Sequence, residues 1–282
     1  MLEISTFFSH RHRVSRSASP LFAVLLLLDG CGGHATGRGT GHPVHSEAAQ
    51  SAAEFDLALD LWLQRHQPRL AMEHALRATE LDEDNAQAHH LVALLYLDFC
   101  RRDSTECLLE VAERSARREL SEDELFRDAK NTLGVVLVHQ GRYREAIEVL
   151  RPLTRDILYR TPEHAWGNLG WAYLQSGQIS EAIDALQRST AVQPDFCVGH
   201  YRLGLAFEQS GKLEQAHRAL TRALSVDDPR CAKMQVAYQL RAAVATQLGR
   251  QDEARSDLAE CVHLDKQTTA GRECSARLNA IQ

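Results

Sequence analysis

The chain has 282 residues, a formal net charge of −6, and 44% hydrophobic and 25% charged residues, an ordinary composition for a helical soluble domain. The mildly acidic balance, without a long basic stretch, argues against nucleic acid as a partner. The chain has no nucleophile elbow, His-Glu helix motif or paired-carboxylate signature. We therefore predict no catalytic residues, no cofactor and no metal site, and the chain is not expected to be an enzyme.

The amino-terminal residues 1–30 are typical of an export leader rather than of a folded domain. A basic region with three arginines precedes the apolar run Leu21–Leu28. Eight apolar residues are too few to span a bilayer, which needs roughly 20, but they suit a secretory signal peptide. The following Asp29-Gly30-Cys31 resembles a bacterial lipobox, in which the cysteine is lipidated and becomes the first mature residue. An alternative is a plain signal peptide with a chance cysteine.

Residues 31–50 are expected to be the lipidated cysteine and a flexible tether, because they are rich in Gly, His, Ser and Thr. Such a segment has a root-mean-square span of roughly 25 Å. In Gram-negative lipoproteins an aspartate after the lipidated cysteine commonly retains the protein in the inner membrane. That position is Gly32 here, so the resemblance implies the periplasmic face of the outer membrane, with the lipid as the membrane contact.

The rest of the chain repeats with a period of 34 residues. Small, aromatic and leucine residues recur at equal positions in two successive blocks, as the pairs Leu169/Leu203, Gly170/Gly204, Tyr173/Phe207, Gly177/Gly211, Ala182/Ala216 and Leu186/Leu220. This spacing is typical of tetratricopeptide (TPR) repeats, in which two helices cross at the small residues. It predicts an all-α, right-handed superhelix of about six helix-turn-helix repeats, an architecture that builds binding surfaces.

Weaker copies of the pattern extend in both directions and define one repeat domain over residues 51–268. The third copy has about two extra residues, and a capping helix is expected over 269–282. The predicted repeats are 52–85, 86–126, 127–162, 163–196, 197–234 and 235–268.

Six cysteines remain beside Cys31, an even number that permits disulfides in an exported chain. Many pairings are possible from sequence alone. Repeat geometry favours Cys100–Cys107 around the turn of the second repeat, Cys261–Cys274 between the last repeat and the capping helix, and Cys197–Cys231 in successive joints. The alternative for each is a small buried apolar residue.

The first helix of each repeat is expected to line a protein-binding groove. Many of the positions that face the groove are apolar or aromatic, and a contiguous exposed apolar stripe usually marks a binding surface. The predicted groove residues are Leu94, Leu97, Val135, Val138, His139, Trp171, Leu174, Gln175, Tyr201 and Leu205. Coverage of these side chains by neighbouring helices or by the tether is the alternative. A chaperone-type carboxylate clamp is disfavoured, because only Asn131 and Asn168 come near its pattern.

Residues 130–175 resemble a particular TPR family. The segment Asp156-Ile157-Leu158-Tyr159, about a dozen residues before Asn168-Leu169-Gly170, resembles the type IV pilus pilotins, the PilF/PilW lipoproteins and the myxobacterial Tgl. Those proteins carry a lipobox, six repeats and an insertion after the third repeat. The resemblance implies that the protein binds secretin subunits and promotes their outer-membrane localisation and multimerisation for pilus biogenesis and motility.

Two other functions stay open at this point. A periplasmic adaptor that organises peptidoglycan hydrolases, as NlpI-type lipoproteins do, would have the same repeats. An enzyme with a repeat appendage is disfavoured, because the repeats take up nearly the whole mature chain. The oligomeric state is left open.

Overall fold

The computed structural model describes residues 46–101, 107–122 and 126–281. Within these ranges the chain forms fourteen α-helices and no strand. The leader and Cys31 lie outside the described residues. The helices are α1 Glu47–Leu63, α2 Pro68–Leu81, α3 Ala86–Arg101, α4 Leu109–Glu122, α5 Arg127–His139, α6 Tyr143–Leu153, α7 Pro162–Gln175, α8 Ile179–Val192, α9 Cys197–Gln209, α10 Leu213–Leu224, α11 Pro229–Ala232, α12 Gln235–Gln247, α13 Gln251–Leu264 and α14 Thr269–Ala280.

The helices pair in chain order and stack into the predicted superhelix of TPR repeats. The pairs α1–α2, α3–α4, α5–α6, α7–α8, α9–α10 and α12–α13 make the closest contacts, and each pair also touches the next. We call the first helix of a pair its A helix and the second its B helix. The short α11 lies in the joint before the sixth pair, and α14 packs against α13.

The small residues of the period mark where the A and B helices cross. A Cβ atom added to Gly170 would lie 2.6 Å from Cγ of Leu186, and one added to Gly204 would lie 2.6 Å from Cγ of Leu220. Both distances are far below van der Waals contact, so each glycine forms a notch that receives a fully buried leucine. Any larger residue would push the two helices apart.

The A-to-B turns use glycine for a different reason. Gly177 and Gly211 have φ of 78° and 74°, in the left-handed region that residues with a Cβ rarely adopt. Gly141 and Gly249 hold the same conformation in the third and sixth repeats. In the third to sixth repeats, the recurring glycine thus follows the A helix and reverses the chain.

The first helix begins earlier than the sequence predicted. Ser46 caps α1, because its side-chain oxygen accepts a hydrogen bond from the backbone N–H of Ala49 at 3.2 Å. Helix α1 therefore starts at Glu47, and the predicted tether over 31–50 is four residues too long at its end. Ser51 is already buried and donates a hydrogen bond to the carbonyl of Ala78 at 2.7 Å.

Three disulfides join helices within and between repeats. The Cα–Cα distances are 4.4 Å for Cys100–Cys107, 5.9 Å for Cys197–Cys231 and 6.2 Å for Cys261–Cys274. These are the pairs that repeat geometry favoured. They tie α3 to the start of α4, α9 to α11, and α13 to the capping helix α14.

Of the helices in the described ranges, none combines the length and the apolar character needed to cross a bilayer.

Candidate binding surfaces

A chain of buried polar side chains links the A helices of the third, fourth and fifth repeats. Asn168 on α7 donates through Nδ2 to Oδ1 of Asn131 on α5 at 3.0 Å. Arg202 on α9 donates through Nη1 to Oδ1 of Asn168 at 2.7 Å and to the carbonyl of Gly167 at 3.3 Å. We call Asn131, Asn168 and Arg202 the A-helix ladder. Each is less than a tenth exposed, so the ladder fixes how successive A helices sit against one another.

Arg202 is not among the binding residues predicted from the sequence. Asn131 and Asn168, which match a carboxylate clamp poorly, instead hydrogen-bond to each other. The sequence period could have indicated Arg202, because this residue lies one repeat of 34 residues after Asn168. Its guanidinium also lies over the ring of Trp171, 5.2 Å from the centroid. Arg202 therefore holds Trp171 in place as well as the ladder.

The prediction of an exposed groove is wrong for four of its residues, because they are buried. Leu94, Leu97, Val138 and Leu174 are only 2%, 5%, 5% and 3% exposed. Leu97 packs with Ala112 and Val136 of the following helices. In the same way, neighbouring helices cover the other three. These four leucine and valine side chains are core residues and offer no surface to a partner.

The other six predicted residues form a smaller surface on α5, α7 and α9. We call it the A-helix patch; Val135, Trp171, Tyr201 and Leu205 are half-buried and His139 and Gln175 are exposed. Trp171 and Leu205 occupy the same position in successive repeats. Burial raises the pKa of Tyr201, so its hydroxyl stays protonated near neutral pH and can donate a hydrogen bond. The patch offers aromatic area with a few polar groups.

The insertion between α6 and α7 is a turn that is anchored at both ends. Asp156 accepts hydrogen bonds from Nε of Arg127 at 2.6 Å and from the backbone N–H of Leu158 at 2.9 Å. The bond from Arg127 lowers the pKa of Asp156, which keeps the carboxylate charged. Tyr159 is 5% exposed and closes the turn against the core. Between these anchors Ile157 and Leu158 point into solvent, with 96% and 67% of their surface exposed.

In the part of the chain that the structure describes, no three side chains of His, Cys, Asp and Glu gather closely enough to hold a metal ion. The helix-pair repeats themselves form the type of fold that typically acts as a protein-interaction scaffold.

Sequence comparison agrees with the repeat architecture. A TPR repeat family model matches residues 170–211, and a tetratricopeptide repeat model matches residues 201–262. The chain contains tetratricopeptide repeats. The matched residues include the notch glycines Gly170 and Gly204 and the turn glycines Gly177, Gly211 and Gly249. No curated protein matches the chain in sequence.

Several solved structures share the fold of this TPR chain. PilF of Pseudomonas aeruginosa is 20% identical, with a TM-score of 0.61, and the match covers 82% of this chain and 99% of PilF. PilW, a widely conserved type IV pilus biogenesis factor, is 22% identical, with a TM-score of 0.65 and coverage of 79% and 97%. The Cut9–Hcn1 assembly of the APC/C has a TM-score of 0.66 at 14% identity, but only 43% of its chain is covered. At these identities the likeness is one of fold.

Proposed function

We propose that this TPR protein is a pilotin: an outer-membrane lipoprotein that binds secretin subunits and promotes their multimerisation for type IV pilus biogenesis. The observation that carries the proposal is the length of the fold match. This chain aligns with 99% of PilF and 97% of PilW, so the fold match extends over nearly the whole of both pilus proteins. The longer Cut9 chain is matched over less than half its length.

The cysteines support an exported protein. All six cysteines in the described ranges are paired as disulfides, which persist in oxidising compartments such as the periplasm and are rare in the cytosol. The leader and the lipobox-like Asp29-Gly30-Cys31 point to the same compartment. A lipid on Cys31 would hold the protein at the membrane, and the tether would keep a bound client at high local concentration there.

The A-helix patch is the proposed client site. Trp171 and Tyr201 are aromatic side chains with part of their surface free, and such residues are favoured anchors in protein interfaces. Arg202 of the A-helix ladder lies over Trp171 and holds that ring in place, which lowers the entropic cost of ordering it on binding.

The test is a pull-down from outer-membrane extracts with mass spectrometry of the recovered proteins. We compare the wild type with a Trp171→Ala/Tyr201→Ala double variant and with Tyr143→Ala, a half-buried tyrosine on the B helix α6. Secretin recovered by the wild type and the control, but lost in the double variant, is the expected result. Equal recovery of secretin by all three proteins would show that the client site lies outside the A-helix patch. Peptidoglycan hydrolases recovered without secretin would overturn the pilotin proposal in favour of the hydrolase adaptor.

Anchoring is tested separately by cell fractionation of Cys31→Ser. We expect the variant to leave the outer-membrane fraction and appear in the soluble periplasm, because the lipid can no longer be attached. Retention of the variant in the outer membrane would contradict lipid anchoring through this residue.

A further inference from the structure

A cleft of about 610 Å³ lies between the B helices of the third and fourth repeats, apart from the A-helix patch. Its floor is the A helix α7, where Leu169 is buried and Trp166 and Tyr173 keep part of their surface free. One wall is the end of α6 and the start of the insertion, and the other is α8. The polar and charged side chains of the walls are Arg151, Thr154, Arg155, Ser180, Glu181, Asp184 and Arg188.

The α6 wall of this cleft is positively charged. Nη2 of Arg151 donates to the hydroxyl of Tyr173 at 3.2 Å, which is a neutral acceptor. Within the described ranges, neither Arg151 nor Arg155 is joined to a carboxylate, and both are exposed. Both cations line the same wall of the cleft. They are placed to receive anionic groups from outside.

The opposite wall is balanced in charge. Arg188 pairs with Asp184 at 3.0 Å and lies over the ring of Trp166, 5.1 Å from its centroid. Glu181 is the other carboxylate of the lining, and it sits in the first turn of α8. An anionic group entering the cleft is therefore directed towards the α6 wall, while the aromatic floor can take an apolar side chain.

The exposed tip of the insertion stands beside the basic wall. Ile157 and Leu158 follow Arg155 by two and three residues, so their Cα atoms lie within about 7 Å and 11 Å of its Cα. Their backbone is anchored by Asp156 and Tyr159, so the exposure of the two side chains is held in place by the fold. Two large apolar side chains presented rigidly next to a charged cleft are typical of a binding surface.

We propose that the cleft and the Ile157–Leu158 tip form one docking surface for an acidic, apolar segment of a partner protein. Carboxylates of that segment would accept charge-assisted hydrogen bonds from Arg151 and Arg155. An aromatic or aliphatic side chain would enter over Trp166 and Tyr173, and a second one would pack on the tip. Because none of these residues belongs to the A-helix patch, this surface does not depend on the pilotin proposal.

The experiment measures binding of a fluorescein-labelled peptide of sequence GDEFDLEG to the purified protein by fluorescence anisotropy. Two matched peptides separate the contributions: GNQFNLQG lacks the charges and GDESDSEG lacks the apolar side chains. We expect both to bind at least about tenfold more weakly than the parent peptide, since each loses one of the two kinds of contact. We also expect the parent affinity to fall as salt is raised.

Variants of the protein test whether the peptide binds at the proposed docking surface. Arg151→Glu/Arg155→Glu and Ile157→Ser/Leu158→Ser should each weaken the parent peptide about tenfold or more, while melting at the wild-type temperature. The matched controls are Arg218→Glu, an exposed arginine on α10, and Val192→Ser, an apolar residue 50% exposed at the end of α8. The controls should bind like the wild type.

Four results would overturn the proposal: no binding of GDEFDLEG, equal binding by the surface variants, equal loss in the controls, or equal binding of the charge-free peptide. Tighter binding of a labelled single-stranded oligonucleotide, lost in Arg151→Glu/Arg155→Glu, would also overturn it, because the arginines would then serve a nucleic acid. Secretin recovery in the pull-down should be unchanged by the surface variants, which separates this docking surface from the client site.

Discussion

Repeats four and five interlock where a glycine receives a leucine, whereas repeat two buries a histidine–carboxylate pair between its two helices. In the former, Gly170 and Gly204 receive Leu186 and Leu220. In the latter, His90, Asp98 and Glu119 are 3%, 0% and 0% exposed. The regular repeats carry the full glycine and leucine period and are stabilised by shape. The second repeat has a weaker period and buries polar groups, which stabilise the fold only when they keep their partners.

Two of these buried groups, His90 on α3 and Glu119 on α4, form a pair. Nδ1 of His90 lies 3.1 Å from Oε2 of Glu119. Burial by itself would lower the pKa of His90, but the charge of Glu119 and its hydrogen bond outweigh burial and raise it. Glu119 therefore favours the protonated form of His90 inside the repeat.

The largest expected effect comes from breaking this pair. Glu119→Leu should lower the free energy of unfolding by about 3–5 kcal/mol, because it leaves the histidine buried without its carboxylate. The double variant His90→Leu/Glu119→Leu should recover much of that loss. Urea unfolding measures both, with Glu110→Leu, exposed on the same helix, as the control. A double variant no more stable than Glu119→Leu would show that the pair is not the unit of stability.

The next largest loss of stability is expected when a glycine notch of the regular repeats is filled. Gly170→Ala should cost about 1–3 kcal/mol, because its Cβ would meet Leu186. The clash should be relieved when Leu186 is shortened, so a double-mutant cycle of Gly170→Ala with Leu186→Ala should be strongly non-additive. The control cycle uses Gly177→Ala, whose Cβ has no atom within 4 Å and whose cost comes from its positive φ. Additivity in the first cycle would contradict interlocking by shape.

A variant of the A-helix ladder tests how much buried polar contacts stabilise the regular repeats. Asn168→Ala removes the acceptor of Arg202 and the donor to Asn131 and should cost about 1 kcal/mol. Gln187→Ala, exposed on α8, is the control and should be neutral in the same thermal melt. A loss comparable to that of Glu119→Leu would remove the contrast between the two regions.

The smallest effect concerns Glu113, which links α4 to the turn of the third repeat. Burial would raise its pKa, but hydrogen bonds from Gln140, Arg117 and Arg142 lower it to about 2. A lowered pKa gives stability that is present above the unfolded pKa of about 4.3 and is lost as the pH falls towards 2. Glu113→Gln should therefore melt below the wild type at pH 7, with the gap closing between pH 5 and pH 2.

The melting temperature of Glu110→Gln, measured over the same pH range, provides the matched control, since Glu110 is exposed on the same helix. It should melt like the wild type throughout this range. A gap between Glu113→Gln and the wild type that stays constant with pH would contradict the hydrogen-bonded carboxylate.

The sequence predicted the fold well where the physics is local. The turn glycines and the pairing of Gly170 with Leu186 depend on residues close in the chain, so a period of 34 reveals them. The start of α1 was predicted too late, because one capping serine decides it. The exposed groove was predicted least well. Leu94 and Leu174 occupy positions open to the groove in a single repeat, but the neighbouring helices bury them.

The sequence by itself therefore determined the repeat class, the helix pairs and the placing of small residues at the helix crossings, because these follow from spacing along the chain. Only the tertiary structure decided which A-helix side chains stay exposed, that Arg202 completes a ladder with Asn168, and that Arg151 and Arg155 share a cleft with the aromatic floor of α7. Burial and ion pairing depend on how neighbouring repeats pack, and that packing sums contacts between residues distant in the chain.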